Sequence, residues 1–342
     1  MTKLLKEKEY AHGAQIIQQG GTVAFRTETV YGLGADATNA DAVAKIYQAK
    51  NRPSANPVIL HFHSLKHLLE YFDKIDSVSL AILKKFKKAM TVTLDLPAES
   101  RLAKNILGDA ECVAVRIPGC SFTRKFIKSC GVPVAAPSAN LSGRPSGTRW
   151  QDVYDDLNGK IDAILMGRDT KIGVESTVVD VVYDAGGNAT LNILRPGGTG
   201  IERLRKLGHH INTETDSENL KNSPGTRFKH YSPMYPVYIA TNGGPDIERA
   251  DRILEFTTGK NAVVLCKTKN KDLYDGESVI TLGNKASEVC AALFSSLREA
   301  EKKITARKNG EPEVIVIEEM PHTLEYAAVR ERIQKASEGR VI

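Results

Sequence analysis

Apolar and polar positions form two kinds of pattern along the chain. Short β-branched runs such as "GTVAF", "PVILHF", "CVAVRIP" and "PVAA" alternate with segments whose apolar residues are three or four positions apart. Runs of the first kind predict buried strands, and the wider spacing predicts amphipathic helices. The stretches "STVVDVVY" and "TLNILRPG" flank "DAGGNA" and predict a hairpin. This mixture continues to about Leu207 and predicts an α/β domain.

Three helices are predicted in this first part. One runs from Glu9 to Gln19, and another covers "FTRKFIKSC". The third covers "NADAVAKIYQAK", where Asn39 is a suitable N-cap because its side chain can accept hydrogen bonds from the first free backbone N–H groups. Lys50 therefore falls at the end of this helix.

The pattern changes after residue 207. Residues 208–235 are mostly polar, contain several prolines and show no regular spacing of apolar residues, which predicts a linker. From residue 236 to residue 342, strand-like and helix-like segments alternate, which predicts a small Rossmann-like domain with a parallel sheet. The sequence thus predicts a first domain at 1–207 and a second at 236–342.

The composition is that of a globular protein. The 342 residues are 41% hydrophobic and 26% charged, and the length favours two domains. A formal net charge of +6 suits phosphate-bearing ligands or RNA, but it suits an ordinary enzyme equally. Five cysteines without a C-x-x-C pair predict neither a disulfide framework nor a zinc knuckle. The cysteine pattern favours a reducing cytoplasm. No apolar run approaches the ~20 residues of a membrane span, so we expect a soluble protein that does not contact membranes.

The stretch "KNRPSANPVIL" places Lys50 and Arg52 beside prolines, just before a predicted strand. Two cations held in such a position suit a bound anion. The stretch "GLGADA", at 32–37, matches a dinucleotide-binding pattern, but the acidic residue expected about 20 positions later is missing. A glycine turn is therefore predicted there.

The stretch "HFHSLKH" contains His61, His63 and His67, of which the first two could bind zinc from one face of a strand. No carboxylate or cysteine nearby completes a ligand set, so no metal site is predicted. A substrate contact is the preferred interpretation for His61.

Three further stretches are candidates for ligand binding. "APSANLSGRPSGT", at 136–148, follows a strand and offers hydroxyl and backbone N–H groups to a phosphate, although an ordinary loop fits the same pattern. "GVESTVVD", at 173–180, is by itself a turn that enters a strand. "SPGTRFKHYSP" has more cations than a linker needs, which predicts a segment that closes over a ligand.

Together, "TETVYGLG", "AKNRP", "NPVILH", "VAVRIP", "APSANLSG", "GVESTVVD", "LRPG" and "SPGTRFKHYSP" resemble, in order and spacing, the threonylcarbamoyl-AMP synthases. The fragments span residues 27–233, and the last of them is typical of the long, two-domain form. The resemblance implies a YrdC-like α/β fold, in which a twisted open mixed sheet surrounds a concave positive cavity. It also implies a small Rossmann-like C-terminal domain. The cation-rich linker at 208–235 is predicted to act as a lid.

The resemblance further implies a nucleotidyltransferase that joins L-threonine, bicarbonate and ATP into L-threonylcarbamoyl-AMP and pyrophosphate, with Mg²⁺ bound to ATP. A downstream tRNA threonylcarbamoyl transferase complex would use the product, and weak contact with tRNA is also implied. Lys50 and Arg52 would be the catalytic cations, because displacement at the α-phosphorus requires neutralised phosphate charge. Arg116 would bind the carboxylate of threonine bidentately.

The same resemblance implies two sets of ligand contacts. Threonine would contact Thr29, His61, Arg116, Ala136 and Ser176. ATP would contact Lys50, Arg52, Asn56, Cys112, Ser138, Asn140, Ser146, Arg195 and Tyr231. The family's usual proline before "TETVYGLG" is Arg26 here, and its usual W-P-G-P-L-T stretch is "KAMTVT" at 88–93. Because the ligand-facing positions are kept, we expect activity, with altered affinity or geometry near residues 88–93.

Two other functions fit part of the sequence. A non-catalytic protein that binds double-stranded RNA or tRNA would suit the positive charge, but it leaves uncharged residues such as Asn56, Ser138 and Ser176 unexplained. A carbamoyl-adenylate-forming module would suit the same fold. In hydrogenase-maturation proteins, however, such modules accompany zinc-finger and acylphosphatase-like segments, and this sequence has neither.

Overall fold

A computed structural model describes residues 1–214, 222–223, 230–241, 244–274, 276, 278–307 and 310–342. The chain forms two compact units: a first unit of residues 1–142 with 146–228, and a second unit of residues 143–145 with 229–342. His210–Asn212 form a strand inside the stretch predicted as a linker, so that stretch is not a linker throughout. The predicted boundaries at 208 and 236 otherwise stay predictions, because most of residues 215–229 lie outside the described residues.

The first unit is built around one mixed sheet. Its described strands are β1 (Lys3–Lys6), β2 (Val23–Arg26), β3 (Tyr31–Asp36), β4 (Leu60–His61), β5 (Met90–Asp95), β6 (Cys112–Arg116), β7 (Val134–Ala135), β8 (Ala163–Met166), β9 (Thr177–Tyr183), β10 (Ala189–Arg195) and β11 (His210–Asn212). They lie in the order β1-β8-β2-β3-β7-β4-β6-β5-β9-β10-β11. The predicted hairpin is confirmed, because β9 and β10 pair antiparallel.

Helices pack against this sheet. Those described in the first unit are α1 (Tyr10–Gln18), α2 (Ala40–Lys50), α3 (Leu65–Leu69), α4 (Ser77–Lys85), α5 (Ser121–Cys130), α6 (Trp150–Leu157) and α7 (Ile201–Arg205). The predicted cap of α2 is confirmed, since the side chain of Asn39 accepts hydrogen bonds from the backbone N–H groups of residues 41 and 42. One core cluster joins α1, α5 and β2 through Ile17, Phe126 and Phe25. No helix in the described ranges has both the length and the apolarity to cross a membrane.

The stretch "GLGADA" forms most of β3, so the predicted glycine turn is wrong. Gly34 lies in this strand, against the side chains of Phe25 in β2 and Val134 in β7. A Cβ atom on Gly34 would come within 2.7 Å of atoms of both side chains. Glycine is therefore required by close packing inside a strand, a reason that the neighbouring residues in sequence do not reveal.

The second unit contains a parallel sheet, as predicted. Its described elements are β12 (Val237–Ala240), α8 (Asp246–Thr257), β13 (Asn261–Cys266), β14 (Ser278–Thr281), α9 (Ala286–Ala306), β15 (Glu313–Glu318) and α10 (Ala327–Ser337). The strands lie in the order β12-β15-β13-β14, with every pair parallel. A core of Ile253, Val264 and Val316 joins α8 to the sheet. The mixed sheet and the parallel sheet together confirm the predicted α/β fold class.

Candidate active site

Arg116 ends β6, and it lies beside His61, which ends β4. The two strands pair in parallel with His61 opposite Arg116, so both residues lie at the carboxyl ends of neighbouring strands. Thr29 lies in the turn between β2 and β3, and its hydroxyl accepts a hydrogen bond from Nη2 of Arg116 at 2.9 Å. The structure thus brings together three of the residues predicted to bind threonine.

Glu28, in the same turn as Thr29, is the acidic partner of Arg116. Its Oε1 accepts hydrogen bonds from Nη2 of Arg116 at 2.7 Å and from the N–H of Ala89 at 3.1 Å. Its Oε2 accepts one from the N–H of Cys120 at 3.1 Å. Burial by itself would raise the pKa of Glu28, but the charge of Arg116 and these hydrogen bonds lower it to about 2. Glu28 therefore stays ionised and holds the guanidinium of Arg116 in one orientation.

The guanidinium of Arg116 keeps unused hydrogen-bonding capacity. The residue is only 4% exposed, and Nη2 donates both of its hydrogen bonds to the protein. Among the described residues, the buried Nε of Arg116 has no hydrogen-bond partner. A buried N–H group without a partner is destabilising, and a carboxylate bound alongside would satisfy it with a charge-assisted hydrogen bond. This geometry suits the binding of a small anion.

His61 contributes a neutral ring to this cluster. Its Nδ1 lies 3.2 Å from the carbonyl oxygen of Ile59. Burial, and then the charge of Arg116, lower the pKa of His61 to about 3. His61 can therefore offer a hydrogen bond near neutral pH without adding charge. His63 and His67 stack on each other, with their ring centroids 4.4 Å apart.

Ser176 lies just before β9 in a buried network of hydroxyl groups. Its Oγ is 2.7 Å from Oγ1 of Thr91, and its carbonyl oxygen accepts a hydrogen bond from Nη2 of Arg195 at 2.9 Å. The N–H of Gly173 donates to the carbonyl oxygen of Thr29 at 3.0 Å, which joins this segment to the turn between β2 and β3. Ser176 and Arg195, predicted for different ligands, thus share one network.

The serine-rich segment 136–148 lies beside the same turn. The N–H of Ala139 donates to the carbonyl oxygen of Tyr31, the first residue of β3, at 2.8 Å. The hydroxyl of Ser146 donates to Oε1 of Glu175 at 2.6 Å. These bonds bring the two ends of the segment next to β3 and next to the residues that precede β9.

Lys50 is buried at the end of α2 and binds the serine-rich segment. Its Nζ donates to the carbonyl oxygens of Ser138 and Asn140, each at 2.5 Å. Arg52 donates to the carbonyl oxygens of residues 56 and 57, at 3.2 and 2.6 Å. Both predicted catalytic cations therefore contact backbone carbonyls. Lys50, which is 1% exposed, fixes the course of the segment by these contacts.

The other predicted site residues lie in different surroundings. The N–H of Ala136 donates to the carbonyl oxygen of Ile59 at 2.8 Å, just before β4. Cys112 begins β6, and burial raises the pKa of its thiol to about 12. Tyr231 belongs to the second unit, where its ring stacks on Phe294 with a centroid distance of 5.1 Å. The contacts of all the predicted site residues with ligands stay predictions.

Glu28, Thr91 and Glu175 were not predicted from the sequence. Glu28 and Glu175 lie inside "TETVYGLG" and "GVESTVVD", directly beside predicted residues. Thr29 and Arg116 were both predicted to contact threonine. Glu28 is the residue before Thr29, so its carboxylate could have been predicted to lie near Arg116. Thr91 lies in "KAMTVT", where the expected family pattern is missing, so no comparable signal existed.

The mixed and parallel sheets define an α/β protein, and the buried arginine among hydroxyl groups at a strand end is its candidate site for a small anion. A family model described as "Telomere recombination", named for Sua5, YciO and YrdC, matches residues 15–197. A second model, described as "Threonylcarbamoyl-AMP synthase, C-terminal domain", matches residues 199–338. The chain belongs to the threonylcarbamoyl-AMP synthase family, whose members are nucleotidyl-transferring enzymes.

Similar proteins match along nearly the whole chain. The threonylcarbamoyl-AMP synthase of Bacillus subtilis is 36% identical over 344 residues, which cover 98% of this chain and 95% of that protein. The Schizosaccharomyces pombe synthase is 31% identical and matches 92% of this chain and 84% of its own length. The crystal structure of P. abyssi Sua5 complexed with L-threonine superposes with a TM-score of 0.86 and 32% identity, covering 100% of this chain and 99% of that one.

Proposed function

We propose that this protein forms L-threonylcarbamoyl-AMP and pyrophosphate from L-threonine, bicarbonate and ATP. The observation that carries the proposal is the guanidinium of Arg116, which is oriented by Glu28 and retains a buried Nε without a partner among the described residues. A planar guanidinium with an unused edge matches a carboxylate bidentately. Family membership and the P. abyssi structure complexed with L-threonine support threonine as the owner of that carboxylate.

In this proposal, threonine lies at the neighbouring carboxyl ends of β4 and β6. Arg116 binds its carboxylate, while Thr29 and His61 contact its polar groups, with the backbone of Ala136 and the hydroxyl of Ser176 completing the pocket. The burial of these residues supports the assignment, because a small polar ligand is bound selectively only where every buried donor and acceptor finds a partner.

ATP is assigned to the serine-rich segment and its neighbours. Arg52 neutralises phosphate charge, and Lys50 contributes mainly by holding the carbonyl oxygens of Ser138 and Asn140, so that nearby N–H and hydroxyl groups turn toward the phosphates. The remaining contacts proposed for ATP are those of Asn56, Cys112, Ser146, Arg195 and Tyr231. The bond between Ser146 and Glu175 supports a polar site at this end of the segment.

Mg²⁺ is proposed to arrive with ATP as part of the substrate. Mg²⁺ usually keeps several waters and binds through substrate phosphates and one or two carboxylates, so a cluster of protein ligands is not needed. Glu175 accepts a hydrogen bond from Ser146, one of the proposed ATP contacts, and its carboxylate would fit this limited requirement. When bound, the ion neutralises charge on the phosphates.

The proposed reaction has two bond-forming steps. The amine of threonine takes up bicarbonate and releases water, which gives a carbamate. A carbamate oxygen then attacks the α-phosphorus of ATP, the bond to the β-phosphate oxygen breaks, and pyrophosphate leaves with the electron pair. The chain's contribution is alignment of the two substrates and neutralisation of phosphate charge, and no covalent intermediate with the protein is required.

The test is pyrophosphate release from ATP and bicarbonate, measured with and without L-threonine. We expect release that depends on threonine. Arg52→Ala and Ser138→Ala should each lower the rate by about 10-fold or more, because each removes a polar contact to a charged group worth about 1.5 kcal/mol or more. Unchanged thermal melting of both variants controls for folding, and wild-type rates in both would contradict the ATP assignment.

A surface pocket favours the alternative of RNA binding. The cationic residues Lys84, Lys87 and Arg124 line part of a cavity of about 400 Å³ in the first unit. A group of cations of this kind suits phosphodiester backbones, and it is also where we place the weak tRNA contact of the main proposal. Tight tRNA binding that weakens steeply with salt, together with no ATP binding, would favour the alternative. In the main proposal, the product passes to a tRNA threonylcarbamoyl transferase complex in the cytoplasm.

A further inference from the structure

The centre of the serine-rich segment belongs to the second unit. Residues 136–142 and 146–148 lie in the first unit, whereas residues 143–145 lie in the second. Within the second unit, Nη1 and Nη2 of Arg144 donate to the two carboxylate oxygens of Glu301 at 3.1 and 2.9 Å. Glu301, on α9, is 5% exposed. A bidentate pair of this kind fixes orientation as well as distance.

Arg298, one helical turn before Glu301, makes a second contact with the same residues. Its Nε and Nη2 both donate to the carbonyl oxygen of Pro145, at 3.2 and 2.5 Å. The N–H of Ser232 donates to the carbonyl oxygen of Gly143 at 2.8 Å. Every residue of the tripeptide 143–145 is therefore hydrogen-bonded within the second unit.

The same face of α9 also holds Tyr231. Phe294, Arg298 and Glu301 are separated by four and three positions, so their side chains lie on one face of the helix. The ring of Tyr231 stacks on Phe294 with an interplanar angle of 28°, and the N–H of Met234 donates to Glu301. One helix face thus binds both the centre of the segment proposed for ATP and a residue predicted to close over ATP.

We infer that this face of α9, formed by Phe294, Arg298 and Glu301, positions the serine-rich segment for ATP. Arg298 and Glu301 are positioning residues, because they act through the tripeptide and not on substrate. Lys50 fixes the segment at Ser138 and Asn140, and the α9 face fixes it a few residues later. A segment held at both places loses less conformational entropy when it binds a nucleotide, which raises affinity. The inference rests on the proposed ATP-binding role of residues 136–148.

The test compares Arg298→Met with Glu299→Gln in the full chain. Arg298→Met keeps an unbranched side chain but removes the donors to Pro145. Glu299 pairs with Lys303 on the exposed side of α9 at 3.9 Å, so its replacement is a matched control on the same helix. Two measurements that need no turnover are made: hydrogen exchange of residues 136–148, and the Kd for a non-hydrolysable ATP analogue.

We expect Arg298→Met to speed exchange in residues 136–148 and to raise the Kd for the analogue by about 10-fold, since a hydrogen bond from a charged group contributes about 1.5 kcal/mol or more. Glu299→Gln should change neither. The Kd for L-threonine should stay within about twofold in both variants. Unchanged exchange, or faster exchange with an unchanged Kd for the analogue, would overturn the inference.

If Arg298→Met does not fold, a second test exchanges the charges of Arg144 and Glu301. Arg144→Glu alone places two carboxylates together and should weaken analogue binding, and the double variant Arg144→Glu with Glu301→Arg should recover at least part of the loss. No recovery would overturn the inference. Absence of threonine-dependent pyrophosphate release in the wild type would overturn the proposed function alone, because exchange and analogue binding are measured without the reaction.

Discussion

Each unit buries an arginine against a glutamate, and the two arginines differ in the number of carboxylates that they contact. In the first unit, Arg116 binds Glu28, and among the described residues this is its only carboxylate. In the second unit, Arg249 on α8 contacts two carboxylates, those of Asp246 and Glu318. Both arginines are 4% exposed, so burial does not distinguish them.

The surroundings of Glu318 show a buried charge that serves structure. Glu318 ends β15 and is completely buried. It accepts hydrogen bonds from the hydroxyl of Tyr274 at 2.6 Å, from Nδ2 of Asn270 at 2.8 Å and from the N–H of Lys267 at 2.8 Å. Burial, together with the nearby charge of Glu318, raises the pKa of Tyr274. Three hydrogen bonds and the nearby guanidinium of Arg249 thus surround this carboxylate within the second unit.

The comparison teaches that a buried ion pair does not by itself indicate an active site. Such pairs contribute little net stability but are costly to break, and folds use them for specific geometry. The distinguishing feature is the number of carboxylates that each arginine contacts among the described residues: Arg249 contacts two, and Arg116 contacts one. We propose that the carboxylate of threonine is the second carboxylate that Arg116 contacts.

The largest expected effect comes from changing each arginine to lysine. Arg116→Lys should raise the KM for L-threonine by between a hundredfold and a thousandfold, about 3 to 4 kcal/mol, because an ammonium cannot bind a carboxylate bidentately. Arg249→Lys should lower the free energy of unfolding and leave that KM within about twofold. Steady-state pyrophosphate release and urea unfolding of both variants measure this contrast. Equal effects of the two variants on the threonine KM would remove the distinction between the sites.

A smaller effect is expected from acid. The folded-state pKa of Glu28 is lowered from 4.5 to about 2, so the stability contributed by its ionised form is fully present above about pH 4.5 and is lost as pH falls toward 2. Between pH 6 and pH 3 the wild type should lose on the order of 2 kcal/mol more than Glu28→Gln. Urea unfolding at both pH values measures the difference, and parallel losses would show that Glu28 is not strongly paired.

An effect on stability alone is expected from Glu318→Gln. The amide keeps the shape of the side chain and one acceptor, but it removes the charge that faces Arg249 and brings an NH₂ group close to the N–H of Lys267. The free energy of unfolding should fall by about 1 to 3 kcal/mol, and the KM for threonine should not change. Glu28→Gln is the matched variant, since it should alter the threonine KM. A change in that KM for Glu318→Gln would assign the second unit's network to function.

Features that depend on neighbouring residues can be predicted from the amino-acid sequence. The side chain of Asn39 caps α2 through backbone groups only two and three positions away, and the alternation of β-branched runs with helical spacing gave the parallel sheet of the second unit. Family motifs in the sequence also indicated Arg116, His61 and Thr29, which the structure brings together. These features depend on a few neighbouring residues or on short family motifs, so they can be predicted without a tertiary structure.

Contacts between residues that are distant in sequence depend on the tertiary structure. Glu28 is bonded by residues 61, 88 and 92 positions away, and Lys50 donates to carbonyl oxygens 88 and 90 positions away. Gly34 is required by the packing of two neighbouring strands, although its local pattern predicted a turn. Periodicity indicates the face on which a side chain lies, whereas hydrogen-bond partners depend on strand order and register, which bring distant residues within hydrogen-bonding distance.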